Sequence, residues 1–152
     1  VEYMKKGYTL VELLIVLAVI AALMAVATPM AINAVATARA SQVAQNMANL
    51  TSAIQTAFAV NGLPINASAA ESETYLAGYI TSFPNGYEIA IDTGPKSSAA
   101  ATVVYLLNDP APDVIVKQNP QVQKMQKSAI SGVTGLKDNT DYAVIVIPLI
   151  RY

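Results

Sequence analysis

Glu12 is followed by Leu13-Leu14-Ile15-Val16-Leu17-Ala18-Val19-Ile20-Ala21-Ala22-Leu23-Met24, and the next charge is Arg39, so residues 13–38 form a run of 26 residues without a charge. A hydrocarbon core of about 30 Å is crossed by about 20 residues of helix. The run is long enough and apolar enough to span a bilayer, and no other stretch of the sequence compares with it. Ahead of it stand Lys5, Lys6, Gly7, Tyr8 and Thr9. The two lysines hold their end on the cytoplasmic side and send the rest of the chain to the far face.

Outward from this run, Thr9 to about Val60 contains one proline, Pro29, and no glycine, while Ala, Leu, Met and Gln abound. Propensity therefore predicts one long helix, roughly 80 Å at the α-helical rise. Its second half carries Val43, Met47, Leu50, Ile54 and Phe58 at steps of three and four, the spacing of a single helix face. Gln42, Gln45, Asn46, Asn49 and Ser52 are polar without charge, which suits packing against other copies as well as water. Asn61-Gly62-Leu63-Pro64 ends the helix, because Gly or Asn takes the left-handed cap and Pro64 bars continuation.

Beyond Gly62 a Ser/Ala/Asn loop is predicted to about Thr74, then a helical turn from Tyr75 to Tyr79 and a turn at Pro84-Asn85-Gly86. Tyr87 to Asp92, Thr102 to Leu107, Asp113 to Lys117 and Tyr142 to Ile150 are rich in Val, Ile and Tyr and bounded by turn residues, so all four read as strands. The first three form an antiparallel meander through Gly94-Pro95 and Asp109-Pro110-Ala111-Pro112. Gln121 to Ile130 reads as a short helix, and Pro148 makes the last strand an edge or ends it early. The fold class is α+β: a long helix packed by its striped half on a small antiparallel sheet.

Composition narrows the function. The 152 residues suit one small domain, 54% of them are hydrophobic and 12% are charged, against roughly 25% in soluble domains. Part of the chain is built for lipid or for its own copies. The net charge of −1, which becomes −2 without residues 1–7, provides no field for nucleic acid. The chain has no Cys and no His, which removes disulfides, thiolate metal sites, thiol nucleophiles and the commonest general base. The acid pairs conceivable for an enzyme, Glu71 with Glu73 and Asp109 with Asp113, have no pocket signal around them. The reading is that of a protein that is not an enzyme.

Glu12 is the informative charge. A carboxylate at the start of an apolar segment persists there only if paired. Pro29 removes one helical hydrogen bond and disfavours helical geometry at Thr28, so a kink or local loosening is predicted. A basic pair, an apolar core and Ala25-Val26-Ala27 also fit an ordinary secretory signal cut before Thr28. That reading leaves Glu12, the Gly7-Tyr8 junction and the continuation of the helix to Phe58 unexplained.

The order Lys5-Lys6-Gly7, Tyr8-Thr9-Leu10-Val11-Glu12, apolar helix resembles the processing site of type IV prepilins and of the pseudopilins of type II secretion. The resemblance covers roughly Lys5 to Val60 by motif and implies a pilin-like fold. It implies that an inner-membrane prepilin peptidase cuts after Gly7 and methylates the new amino terminus at Tyr8. It places Glu12 on the glutamate that acts in assembly and Pro29 on the helix-kinking proline. It divides the chain into a leader, 1–7, an apolar transmembrane and filament-core half-helix, 8–38, an amphipathic half, 39–61, and a β-sheet head, 62–152, packed on 39–61.

The implied partners are further copies in a helical filament, the inner membrane, the peptidase and the assembly machinery, with no nucleic acid. The implied location is the inner membrane for the precursor and an extracellular pilus for the assembled chain. Tyr8 stands where phenylalanine is usual, and the cysteine pair that staples a carboxyl-terminal loop in many pilins is missing. No cofactor is expected. Some pseudopilins hold calcium near their carboxyl end, where this chain has Asp138, Asn139 and Asp141; a solvated turn is the simpler reading of that loop. The alternatives to a pilus subunit are a type II secretion pseudopilin and a singly anchored binding protein that never polymerises.

Overall fold

A computed structural model describes residues 8–62, 69–92, 99–130 and 132–149. The first element is α1, Leu10–Asn61, a single helix that continues through Pro29. Residue contacts divide the chain into two units, one ending at Val35 and one beginning at Ala36. In the first unit every described side chain, 8–35, is exposed, including Leu10, Ile15, Leu23 and Ile32.

In the second unit α1 turns a stripe inward. Val43, Met47, Leu50 and Ile54 are buried and Phe58 is half-buried, as their spacing predicts. Ala40, Ala44, Ala53, Ala57 and Thr51 are buried with them. Alanine occurs on every face of this helix, so periodicity alone does not single those positions out. Buried Thr51 donates its hydroxyl to the Met47 carbonyl at 2.8 Å, which leaves no polar group unsatisfied there. The helix stops where Gly62 takes φ 75°, its N–H bonded to the Phe58 carbonyl at 2.9 Å.

The remaining elements are α2, Ala69–Leu76; β1, Tyr87–Asp92; β2, Ala100–Tyr105; α3, Pro112–Gln118; β3, Gln123–Gln126; and β4, Asp141–Pro148. The four strands form one antiparallel sheet in the order β1-β2-β4-β3. Tyr87, Ile89 and Ile91, Ala101, Val103 and Tyr105, and Ala143, Ile145 and Ile147 alternate onto the face shared with the α1 stripe. Val104, Tyr142 and Val144 point the other way and are covered by Ile130 and Leu136 from the segment before β4. Both faces are therefore buried over residues 103–105 and 142–145, while Val146, paired with half-buried Thr102, is exposed on the far face.

Three local expectations are overturned. Residues 113–117 are helical. As a strand they would put Asp113 and Lys117 on the same face as Ile115, whereas a helix turns the charges away from it. Ile115 is fully buried, the two charges are exposed, and Pro112 and Asp113 suit a first helical turn. Gln121 to Ile130 is not a helix but β3 followed by a 3-10 turn, Lys127–Ala129. Its Gln and Lys side chains are mostly exposed, as on an edge strand, and the free side of β4 supplies the hydrogen-bond partners that no local propensity encodes.

The meander consequently fails after its first hairpin, because α3 and β3 come between β2 and β4 in sequence. β4 is internal, so Pro148 does not mark an edge strand. It is instead the last residue of β4, the other outcome its position allows. α2 also begins earlier than the turn at Tyr75 to Tyr79, which forms its end. The turn at Pro84-Asn85-Gly86 is present, and Gly86 at φ 84° is one place where glycine is required: a Cβ there would lie 2.6 Å from Leu107 Cδ1. The Gly94-Pro95 connection lies outside the described residues.

With no disulfide, the segment before β4 is held by hydrogen bonds and charge. The Glu88 carboxylate accepts from the Thr134 N–H at 2.8 Å and from its hydroxyl at 2.9 Å. The Lys137 N–H donates to the Tyr142 hydroxyl at 2.7 Å, and Lys127 meets Asp138 at 3.0 Å. Lys124 lies between Asp113 at 3.0 Å and Asp141 at 3.4 Å, tying α3, β3 and β4 together.

Met47→Ala removes a fully buried side chain and is expected to cost about 2–5 kcal/mol in chemical denaturation of the full chain in detergent. Val16→Ala, on the exposed segment, should move the same transition by less than about 0.5 kcal/mol. An equal response at both sites would contradict the division of α1. A pH series tests the head as well. Burial raises the Tyr87 and Tyr105 hydroxyls, and hydrogen bonding and charge from Asp113, then Asp141, raise Lys124. All three bind their proton more tightly when folded, so their contribution is complete below pH about 10 and is lost as pH rises above it. The melting temperature should be level from neutral pH to about 9 and fall beyond 10, with a shallower fall in Tyr87→Phe.

Candidate functional site

The amino end of α1 begins with a capping box. Leu10 is the first helical residue, Thr9 is the cap before it, and Glu12 is third in the helix. The Glu12 Oε2 accepts from the Thr9 N–H at 2.7 Å and from the Thr9 hydroxyl at 3.0 Å, while the Glu12 N–H donates to Thr9 Oγ1 at 3.3 Å. Two backbone donors that the helix cannot satisfy are thereby covered reciprocally. The carboxylate also sits at the positive end of the helix dipole.

Thr9 is the residue that the sequence reading passed over. The signal was present as Thr9-Leu10-Val11-Glu12 before an apolar run, the Ser/Thr-x-x-Glu pattern of such a cap. Glu12 was expected to need a partner, and the first one it finds lies in its own chain. Tyr8 is 84% exposed beside this cap. Lys5, Lys6 and Gly7 lie outside the described residues.

Farther along, Pro29 has no N–H for the Ala25 carbonyl. One position earlier, Thr28 donates its hydroxyl to the Met24 carbonyl at 2.8 Å. The segment from Leu10 to Val35 presents apolar side chains on all sides, and its helix meets the length and composition needed to cross a membrane. A surface of that kind is covered in its working state by lipid or by other apolar chain.

The remaining candidate residues are spread among different partners. Asp109 pairs with Arg39 at 2.9 Å and Asp113 with Lys124, so these two acids are not brought together as a catalytic pair. The side chain of Glu71 is outside what the structure describes. In the carboxyl-terminal loop Asp138 meets Lys127, Asp141 meets Lys124, and Asn139 takes φ 55°. Among the described residues no group of three or more His, Cys, Asp or Glu side chains is arranged to hold a metal ion.

An apolar helix of membrane-crossing length, opened by a capped glutamate, fits the amino end of a membrane-anchored precursor. Residues 3–28 match the family model of the prokaryotic N-terminal methylation motif, the class III signal peptide of type IV pilins. The match covers the amino-terminal segment alone; it supports a prepilin-type protein, similar to type IV pilins and pseudopilins, and points to a structural role. Such a motif implies processing by prepilin peptidase. No curated protein and no solved structure matches the chain.

Thr9→Val removes the hydroxyl from both side-chain bonds. It is expected to cost the first turn about 1 kcal/mol, which is about fivefold faster amide hydrogen exchange in micelles at Glu12 and Leu13, whose N–H groups bond to Thr9. Thr9→Ser should exchange like the wild type. Equal protection in all three proteins would show that the cap does not hold the first turn.

Proposed function

We propose that the chain is a structural subunit of a type IV pilus-like filament. The observation that carries this reading is the pairing of the prepilin-type motif with a helix whose apolar side chains stay exposed throughout residues 10–35. In the proposed sequence the precursor lies in the inner membrane with Lys5 and Lys6 on the cytoplasmic side. Prepilin peptidase cuts after Gly7 and methylates the amino group of Tyr8.

Glu12 of one subunit then pairs with the Tyr8 amino group of a neighbour, and subunits leave the bilayer with their apolar half-helices packed together. Burial of that surface, at about 25 cal/mol per Å² before ordering costs, supplies the cohesion. Pro29, without an N–H for Ala25, is the position at which the helix adjusts as copies pack. The assembled filament lies outside the cell.

Glutamine at position 12 separates the two tasks of Glu12. It still closes a capping box but carries no charge. Glu12→Gln is therefore expected to be cleaved after Gly7 and to keep first-turn protection, yet to lose at least about 90% of the protein in sheared extracellular filaments, the scale of one lost charged contact. The check is intact mass and amino-terminal sequence of membrane and sheared fractions. Wild type should begin at methylated Tyr8 in the sheared material. A wild-type chain beginning at Thr28 would overturn the reading, and one cleaved at Tyr8 but confined to the envelope would favour a pseudopilin.

A further inference from the structure

The second unit carries a cleft of about 410 Å³ whose lining includes Arg39, Asn46, Tyr87, Tyr105, Asp109 and Pro110. We propose that it holds the phosphoethanolamine headgroup of a zwitterionic membrane lipid, with the phosphate on Arg39 and the ammonium on Asp109. The proposal rests on the membrane-anchored precursor and is independent of filament assembly.

Position is the first argument. Glu12 and Arg39 bracket the charge-free run, and the helix between them is about 40 Å long at 1.5 Å per residue. A bilayer measured with its headgroups is about 40–45 Å thick. In sequence, Arg39 is the first charge beyond the apolar run, where a membrane-spanning segment meets the headgroups. Of the α1 residues that line the cleft, Arg39 is the one nearest the apolar run in sequence.

Charge is the second. Arg39 Nη1 and Asp109 Oδ2 are 2.9 Å apart, and the two side chains remain 58% and 77% exposed. An exposed pair contributes little to stability on its own. The guanidinium has five N–H donors and the carboxylate a second oxygen, so each can take a further partner of opposite charge without giving up the first. A lone arginine would accept any anion. An arginine with a carboxylate attached repels a purely anionic headgroup and favours one that carries its own cation.

The cleft walls add hydroxyl donors and rigidity. The Tyr105 hydroxyl donates to the Asp109 carbonyl at 2.8 Å and fixes the loop that presents the carboxylate. The Tyr87 hydroxyl accepts from the Asn46 amide at 3.3 Å and keeps its own proton to donate to a phosphate oxygen. Burial holds both tyrosines above the usual range, so both remain neutral donors. The rings lie 5.0 Å apart at 46°, and tyrosine is the residue type that settles at headgroup level.

Native mass spectrometry of the full chain, released from micelles containing equal phosphatidylethanolamine and phosphatidylglycerol, reads the site directly. Wild type and Glu12→Gln are expected to retain phosphatidylethanolamine about tenfold over phosphatidylglycerol, the scale of one charge-assisted contact. Asp109→Asn should still retain lipid but lose the preference, and Arg39→Gln should retain neither lipid above background. Unchanged melting of both variants shows that the fold is intact. The same lipid ratio in all four proteins overturns the proposal, as does soluble O-phosphoethanolamine displacing the lipid at equal concentration. Loss of retention in Glu12→Gln would tie lipid binding to assembly and overturn the stated independence.

Discussion

Everything else in this chain depends on one mismatch: α1 is longer than the surface its own fold can cover. Burial begins at Ala40 and recurs along one face to Ala57, whereas none of the described side chains before Val35 is covered by the chain. The sheet's inner face is already taken by the second half of α1. An unbranched helix of good propensity lets one element serve two surroundings, water and protein in its second half, lipid or other copies in its first. Charge is confined to the ends of the exposed segment, at Glu12 and Arg39, where water or a partner remains within reach.

The head has to be firm enough to carry that helix without a disulfide. It is held by many modest contacts instead. The α1 stripe closes one side of the sheet, Ile130 and Leu136 close the other, and the intervening segment is fastened by Glu88, Tyr142 and Lys127. Each of these polar contacts is partly exposed and individually weak. They act together because they connect elements far apart in sequence, Glu88 with Thr134 and Lys124 with both Asp113 and Asp141. Lys124 is informative here, since its charge is favoured by two carboxylates that would repel each other without it.

How much of this was legible follows from where the information lies. The span, the stripe from Val43 to Ile54, the end of α1 at Gly62 and strands β1, β2 and β4 are written in local pattern, and local pattern was sufficient for them. Residues 113–117 misled because Val-Ile-Val satisfies strand propensity while the flanking Asp113 and Lys117 carry the helical information. β3 misled in the opposite sense: Gln-Lys-Met-Gln tolerates a helix, and only the unpaired side of β4, nearly twenty residues later, makes it a strand. At the amino terminus the motif around Gly7, Tyr8 and Glu12 was readable from residue order. The Thr9 contribution lies in the same residue order, Thr9-Leu10-Val11-Glu12, where the glutamate serves both as a charge and as the closing member of a cap.

That cap changes what an unpaired glutamate means at this position. If Glu12 entered the membrane with no partner, its desolvation would oppose the anchored state from the start. With the Thr9 N–H and hydroxyl on Oε2, the carboxylate arrives already solvated by its own helix end and aligned with the helix dipole. In the proposed filament, a neighbour's amino group would then not rescue a stranded charge. It competes with, or adds to, hydrogen bonds that already exist, so its advantage is the difference between an ion pair and a cap rather than the whole cost of burying a carboxylate. A difference of that smaller size suits the proposed subunits, which would rest singly in a bilayer and still prefer each other once assembled, because neither state would be separated from the other by an unpaired buried charge.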